Sequence, residues 1–167
     1  MAEQRTPEGE AATALILSAF RANGLLLAAG DVLAADEGLT SARWQVLGAV
    51  ALAERPLTVP QIARRMGLTR QSVHATAKRL AADGLLEFVP NADHRRSQLV
   101  RLTKLGETKY AALSKRQAVW VNRLADGLSH TRLAMTARTL ELLCGRLEAV
   151  AAGNGETEQG GERKTVR

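Results

Sequence analysis

At 167 residues the chain fits one compact domain with appended arms, and an aromatic content of 3% beside abundant Ala and Leu argues against a β-sandwich and for helices. One cysteine, Cys144, cannot close an intrachain disulfide, and no CxxC or Cys/His cluster is present, so a reducing, cytoplasmic setting with no metal or cofactor is expected. The net charge of +6 is localised: between Ile62 and Lys104 nine basic residues face the three acids Asp83, Glu87 and Asp93, and the rest of the chain is balanced, which points to a polyanion met by that segment alone.

The first ten residues and the stretch from Gly153, rich in Gly, Glu and Lys, offer almost nothing to bury and are expected to be mobile. The apolar region after the first of these is interrupted by Arg21, Asn23 and Asp31, so neither a secretion signal nor a membrane span is expected. From Ala11 to about Ala35, Leu15, Ile16, Ala19, Ala22, Leu26, Ala29 and Leu33 recur at helical spacing, while Leu17, Leu25 and Leu27 fall on other sides. A helix apolar on several faces has to be covered from several sides.

Thr40 suits an N-cap, with Leu39 before it and Trp44 after it in hydrophobic-staple spacing, so a second helix begins near Ser41. In "PLTVPQIARRMG" Thr58 and Gln61 stand in capping-box spacing, Pro60 lies in the first turn and Gly67 at the exit, which predicts a helix of about two turns. Thr69 then caps a longer helix that Gly84 ends. Val73, Ala77 and Leu80 share one face of it, and Arg70, Gln71, His74, Ala75 and Lys78 share the opposite one. A short helix, a brief Gly-containing turn and a longer amphipathic helix make a helix-turn-helix.

"LLEFV" and "QLVRLT" read as short strands joined by "PNADHRRS", whose Pro, Asn and Asp favour a turn, so a basic β-hairpin follows the helix-turn-helix and the pattern is a winged helix. After Thr103 a helix of about twenty residues carries Leu105, Tyr110, Leu113, Trp120 and Leu124 and ends at Asp126-Gly127. Ser129 caps a last helix whose Leu133, Ala137, Leu140, Cys144, Leu147 and Ala151 alternate by four and three, a stripe that wants a partner helix. On that stripe Cys144 reads as a buried, inert thiol.

The exposed face of the helix from Thr69 to Ala82 suits base edges. Arg pairs with guanine, Gln with adenine and Lys with guanine or phosphate, and Ala75 or a Thr methyl meets a thymine methyl. Thr69, Arg70, Gln71, Ser72, His74, Ala75 and Lys78 are the candidate contacts there, and Asp93, His94, Arg95 and Arg96 those of the wing. For Asp93 the residues leave two readings open, a turn former bonded to local backbone or a carboxylate that orients an arginine. Arg96 is assigned to phosphate, and His94 has no assigned role.

Residues 11 to 150 resemble the MarR family of bacterial transcriptional regulators, most specifically in Asp93-His94-Arg95-Arg96-Ser97 followed by "LVRLTKLGE", with Leu102, Thr103 and Gly106 in the family's places. The resemblance implies a mainly α fold with a small β-hairpin wing, in the order helix, helix, short strand, helix, helix, strand, strand, helix, helix. It implies a flexible arm (1–10), a dimerisation helix (11–38), a winged helix-turn-helix (39–104), C-terminal dimerisation helices (105–152) and a disordered tail (153–167). It also implies that Asp93 orients Arg95, that Arg95 enters the minor groove, and that a homodimer reads a near-palindromic operator on double-stranded DNA, as a repressor released by a small aromatic or phenolic effector. Asn23, Arg43, Trp44 and Lys109 are effector-pocket candidates by the helices they occupy, although Trp44 also suits a packing staple.

No membrane partner is expected. An enzyme is disfavoured, because no nucleophile elbow, zinc-helix, P-loop or dinucleotide fingerprint occurs and His74, His94 and His130 lie on separate elements. A ligand-independent DNA-architectural or protein-interaction module is the remaining alternative.

Overall fold

The computed structural model describes residues 4–94 and 96–160, with side chains to Ala151. Six α-helices and three short strands follow one another as α1 (Pro7–Ala34), α2 (Ser41–Ala51), β1 (Leu57–Thr58), α3 (Val59–Met66), α4 (Arg70–Ala82), β2 (Leu86–Val89), β3 (Leu99–Leu102), α5 (Lys104–Ala125) and α6 (His130–Gly160), with a single 3-10 turn, Ala35–Glu37, after α1. The chain divides into two compact units, Met1–Trp120 and Val121–Arg167.

The caps explain the boundaries. Helix α1 begins at Pro7, ahead of the Ala11 expected from periodicity, because Thr6 accepts the Gly9 N–H at 3.1 Å, Pro7 sits where a missing N–H is harmless, and Glu8 and Glu10 favour the positive end of the helix. Thr40 caps α2 through the Arg43 N–H, and the start of α2 is tied back to α1 by the Ser41 N–H, which donates to Asp31 Oδ1 at 2.6 Å. The expected capping box opens α3: Gln61 Oε1 accepts the Thr58 N–H at 2.8 Å. Gly67, at φ +63°, takes the left-handed conformation that ends α3 and turns the chain toward Thr69, a conformation costly for a residue with a Cβ.

The core of the first unit is built from Val46, Leu47 and Val50 of α2, Ile62 and Ala63 of α3, Val73, Ala77 and Leu80 of α4, Leu86 and Val100 of the hairpin, and Leu113 of α5. The sheet has the order β1-β3-β2 and is antiparallel throughout, with Leu57 opposite Val100, and Leu86, Glu87, Phe88 and Val89 opposite Leu102, Arg101, Val100 and Leu99. The fold class expected from the sequence is the one observed: a mainly helical winged helix-turn-helix.

Helix α1 buries only Gly30 and Ala34, leaving Leu17, Phe20, Leu25 and Val32 exposed. Pro7–Glu37 passes the length and apolarity test for a membrane-crossing helix, with a mean hydropathy of 1.5 in its most apolar window. In the second unit α6 leaves Leu133 and Leu147 exposed, and Cys144, expected to be buried, is exposed as well, because the apolar stripe around it is uncovered in a single chain. The helix also runs on to Gly160, past the Gly153 at which a disordered tail was expected. No proline interrupts it, and each added residue gains one backbone hydrogen bond once a helix exists.

Candidate nucleic-acid interface

The candidate surface on α4 follows from how the helix is seated. Val73, Ala77 and Leu80 are fully buried, so helical geometry turns Arg70, Gln71, His74, Ala75 and Lys78 outward as one continuous exposed stripe, beside Ser72 and the capping Thr69. Thr69 accepts the Ser72 N–H at 3.2 Å, which satisfies one orphan donor at the end of the helix that begins the stripe. The His74 ring stands edge-on to Phe88 of β2 with centroids 6.4 Å apart, so this member of the stripe also packs on the wing strand. Nothing in the local sequence signals that contact.

The wing is a twisted pair of four-residue strands braced by an ion pair, in which Arg101 Nε donates to Glu87 Oε1 at 2.7 Å across the register. Its tip is built locally: Asn91 Oδ1 accepts the Asp93 N–H at 3.1 Å, and the Ser97 N–H donates to the His94 carbonyl at 2.9 Å. The side-chain turn former is therefore Asn91, two residues ahead of the Asp93 considered for that role. Asp93, His94 and Arg96 are exposed, while Arg95 lies outside the described residues. Between the tip and the start of α3 runs a groove of about 490 Å³ with Arg55, Arg64 and His94 on its walls. Arg55 was not singled out by sequence, because it precedes the basic segment by seven positions and only the β1–β3 pairing brings it near the wing.

The root of the wing explains the Leu-Thr and Gly signature. Thr103 Oγ1 donates to the Gly84 carbonyl at 2.5 Å and accepts the Gly106 N–H at 3.1 Å, and the Thr103 N–H donates to the Leu85 carbonyl at 3.1 Å. A Cβ on Gly106 would lie 2.0 Å from the Leu85 oxygen, so α5 starts against the connection between α4 and β2 only where no side chain intervenes.

A separate cavity of about 460 Å³ opens among α2, α3 and α5, lined among others by Trp44, Gly48, Arg65, Met66, Tyr110 and Gln117. Of the four pocket candidates only Trp44 lines it, and Trp44 also packs on the core, so both of its readings hold together. Arg43 is committed elsewhere, to the Gly38 carbonyl and the Asp83 carboxylate. Lys109 Nζ donates to the Glu37 carbonyl at 2.7 Å, and Asn23 is exposed on α1. Arg65, Tyr110 and Gln117 were missed, since nothing local marks a residue whose cavity is assembled from three helices. Among the described residues no three His, Cys, Asp or Glu side chains gather into a metal-binding group.

A short helix and a left-handed turn deliver an exposed donor-rich helix beside a basic hairpin, and these define a winged helix-turn-helix protein. Residues 37–97 match the model of the MarR family. The chain is 44% identical over 135 residues to the uncharacterized protein Rv2011c of Mycobacterium tuberculosis, an alignment covering 81% of this chain and 93% of the relative. It is 32% identical over 111 residues to the transcriptional activatory protein BadR of Rhodopseudomonas palustris, covering 64% and 62%. Among solved structures, a MarR/EmrR family transcriptional regulator from Acinetobacter sp. ADP1 shares the fold with a TM-score of 0.72 at 21% identity, covering 84% of this chain and 96% of that one. CouR from Rhodococcus jostii RHA1 bound to p-coumaroyl-CoA does so with a TM-score of 0.68 at 21% identity, covering 74% and 87%. Residues 37–97 thus match the MarR family of transcription regulators, and the chain shares the fold of solved members of that family.

Proposed function

We propose that two copies of the chain bind a near-palindromic operator and repress transcription there, and that a small aromatic or phenolic anion releases them. The observation that carries the reading is the exposed stripe of Arg70, Gln71, His74, Ala75 and Lys78 beside a basic wing, inside the one segment that holds the chain's net charge. Arg70 and Gln71 read bases in the major groove, Arg95 enters the minor groove with Asp93 as its orienting partner, and Arg96, Arg55 and Arg64 sit on phosphates. The domain roles follow: α1 and the two C-terminal helices dimerise, residues 39–104 bind DNA, and the protein works in the cytoplasm.

The exposed apolar surface of α1 supports dimerisation. Lipid is the weaker cover for it, since Arg21 and Asp31 are costly in a bilayer. The α2–α3–α5 cavity supports effector binding: it joins Trp44, Met66 and Tyr110 to the cation of Arg65, a lining that suits an aromatic anion, and the relative fold CouR was solved with p-coumaroyl-CoA. Activation is the second reading, favoured by the name of the relative BadR. Footprinting on the DNA upstream of the protein's own coding region, with and without benzoate and p-coumarate, tests the proposal. A protected inverted repeat that either compound uncovers supports it. Protection without sequence preference would favour the architectural alternative.

A further inference from the structure

Two charges in this fold stand at helix ends that disfavour them. Asp83 is the C-cap of α4, where the partial negative charge of the helix end repels a carboxylate, and it lies in the segment read above as facing DNA. Arg43 lies in the first turn of α2, where the partial positive end repels a guanidinium. They meet: Arg43 Nη2 donates to Asp83 Oδ2 across forty positions of sequence.

The pair is part of a longer connection. Arg43 Nη1 donates to the Gly38 carbonyl at 3.4 Å, and the Arg43 side chain is 23% exposed with Nε buried and unpartnered. Gly38 ends the turn after α1, and that turn is gripped from α5. Lys109 Nζ donates to the Glu37 carbonyl at 2.7 Å, while Arg116 reaches Asp36 at 2.9 Å and Glu37 at 3.2 Å. The turn between α1 and α2 is thereby linked through Arg43 to the C-cap of the helix that carries the stripe proposed to face DNA. The neighbouring Trp44 and the following Gln45 and Gly48 line the cavity, so α2 is shared between the cavity and this link.

We propose that Arg43 and Asp83 form a positioning strut that sets the tilt of α4 against α2, and so the presentation of Arg70, Gln71 and Lys78, without touching DNA. The proposal rests on the DNA-binding reading. A partly exposed ion pair adds little to folding stability, so loss of the strut alters binding more than it alters folding.

The test uses the full chain as wild type, Arg43→Met, Asp83→Asn, Asp83→Glu and the Arg43→Met/Asp83→Asn double variant. Binding is measured to a duplex that the wild-type protein selects from a random pool, at several salt concentrations, with amide exchange followed at Asp83, Gly84 and Leu85. In wild type these three amides donate to the Arg79, Ala81 and Leu80 carbonyls.

The strut predicts that each neutralising variant binds about tenfold more weakly, that the double variant is no weaker than the singles, and that Asp83→Glu recovers most of the loss. It also predicts an unchanged salt slope, since no phosphate contact is lost. A simple charge effect predicts opposite signs, with Arg43→Met weaker, Asp83→Asn tighter and the double near wild type. That outcome, or no change in either single variant, overturns the strut. If the wild type selects no duplex, it is the operator-binding proposal that fails. The exchange data then decide the strut alone: faster exchange at the three amides in both single variants supports it, and unchanged exchange overturns it.

Discussion

An added methyl at Gly106 would press on the Leu85 carbonyl at 2.0 Å and on Leu102 Cδ2 at 3.1 Å, and the first of these is backbone that cannot swing aside. Gly106→Ala is therefore expected to destabilise the fold by about 2 kcal/mol or more, read as a lower urea midpoint at unchanged slope. An unaltered midpoint would mean that α5 does not approach the Leu85 carbonyl this closely. Among the residues proposed to face DNA the expected effects differ in kind. Arg95→Ala costs about 2 kcal/mol of operator binding and Asp93→Ala less, whereas Gln71→Ala relaxes the preference at one base pair. Arg96→Ala weakens all sequences alike and lowers the salt slope by about one. Titrations of each variant against operator and scrambled duplexes separate these outcomes, and equal losses at Arg95 and at the tail residue Lys164 would sink the wing assignment. Residue roles that depend on neighbours in sequence were legible, as with the Thr69 cap and the buried Val73, Ala77 and Leu80. Roles set by distant partners were not: Arg43 and Lys109 were placed in an effector pocket by their helices, yet their partners Asp83 and Glu37 are forty and seventy-two positions away.

Helices α2, α4 and α5 each start behind a threonine whose side chain accepts a first-turn N–H, and α3 starts at the Thr58–Gln61 capping box, which is why most helix boundaries could be read in advance. Thr69→Ala removes the acceptor of the Ser72 N–H and is expected to cost about 1 kcal/mol in chemical denaturation. A loss near zero would show that solvent replaces the cap. The start of α1 was misjudged although its signal was present: Thr6-Pro7-Glu8 is a cap, a first-turn proline and a dipole-favourable acid, obscured by the polar composition around it. The two-residue β1 lies below what alternation can reveal, and its pairing with β3 is a tertiary fact. Asn91 at the wing tip shows the same limit on a smaller scale, since Asn and Asp both build such turns and only the geometry picks one.

At the scale of the molecule, burial is uneven. The first unit packs a continuous core, yet Phe20 on α1 is 71% exposed and Leu147 on α6 is 65% exposed, surfaces costly to leave in water. Sedimentation at micromolar concentration is expected to give twice the 17.9 kDa chain mass, and Phe20→Glu to shift it toward the monomer. A monomeric wild type would contradict the dimer. The sequence pattern foresaw these uncovered stripes but also led to a buried Cys144, because periodicity identifies an apolar face without saying whether one chain or two is needed to cover it.

The charge distribution belongs to this scale as well, since the whole excess of +6 lies between Ile62 and Lys104, within the winged helix-turn-helix. Selection of duplexes from a random pool at fixed salt tests the consequence most directly. The account predicts an enriched inverted repeat with half-sites about 34 to 36 Å apart, preferred about a thousandfold over unselected DNA. A pool that emerges without a shared sequence, bound with the same affinity as the starting mixture, would contradict it.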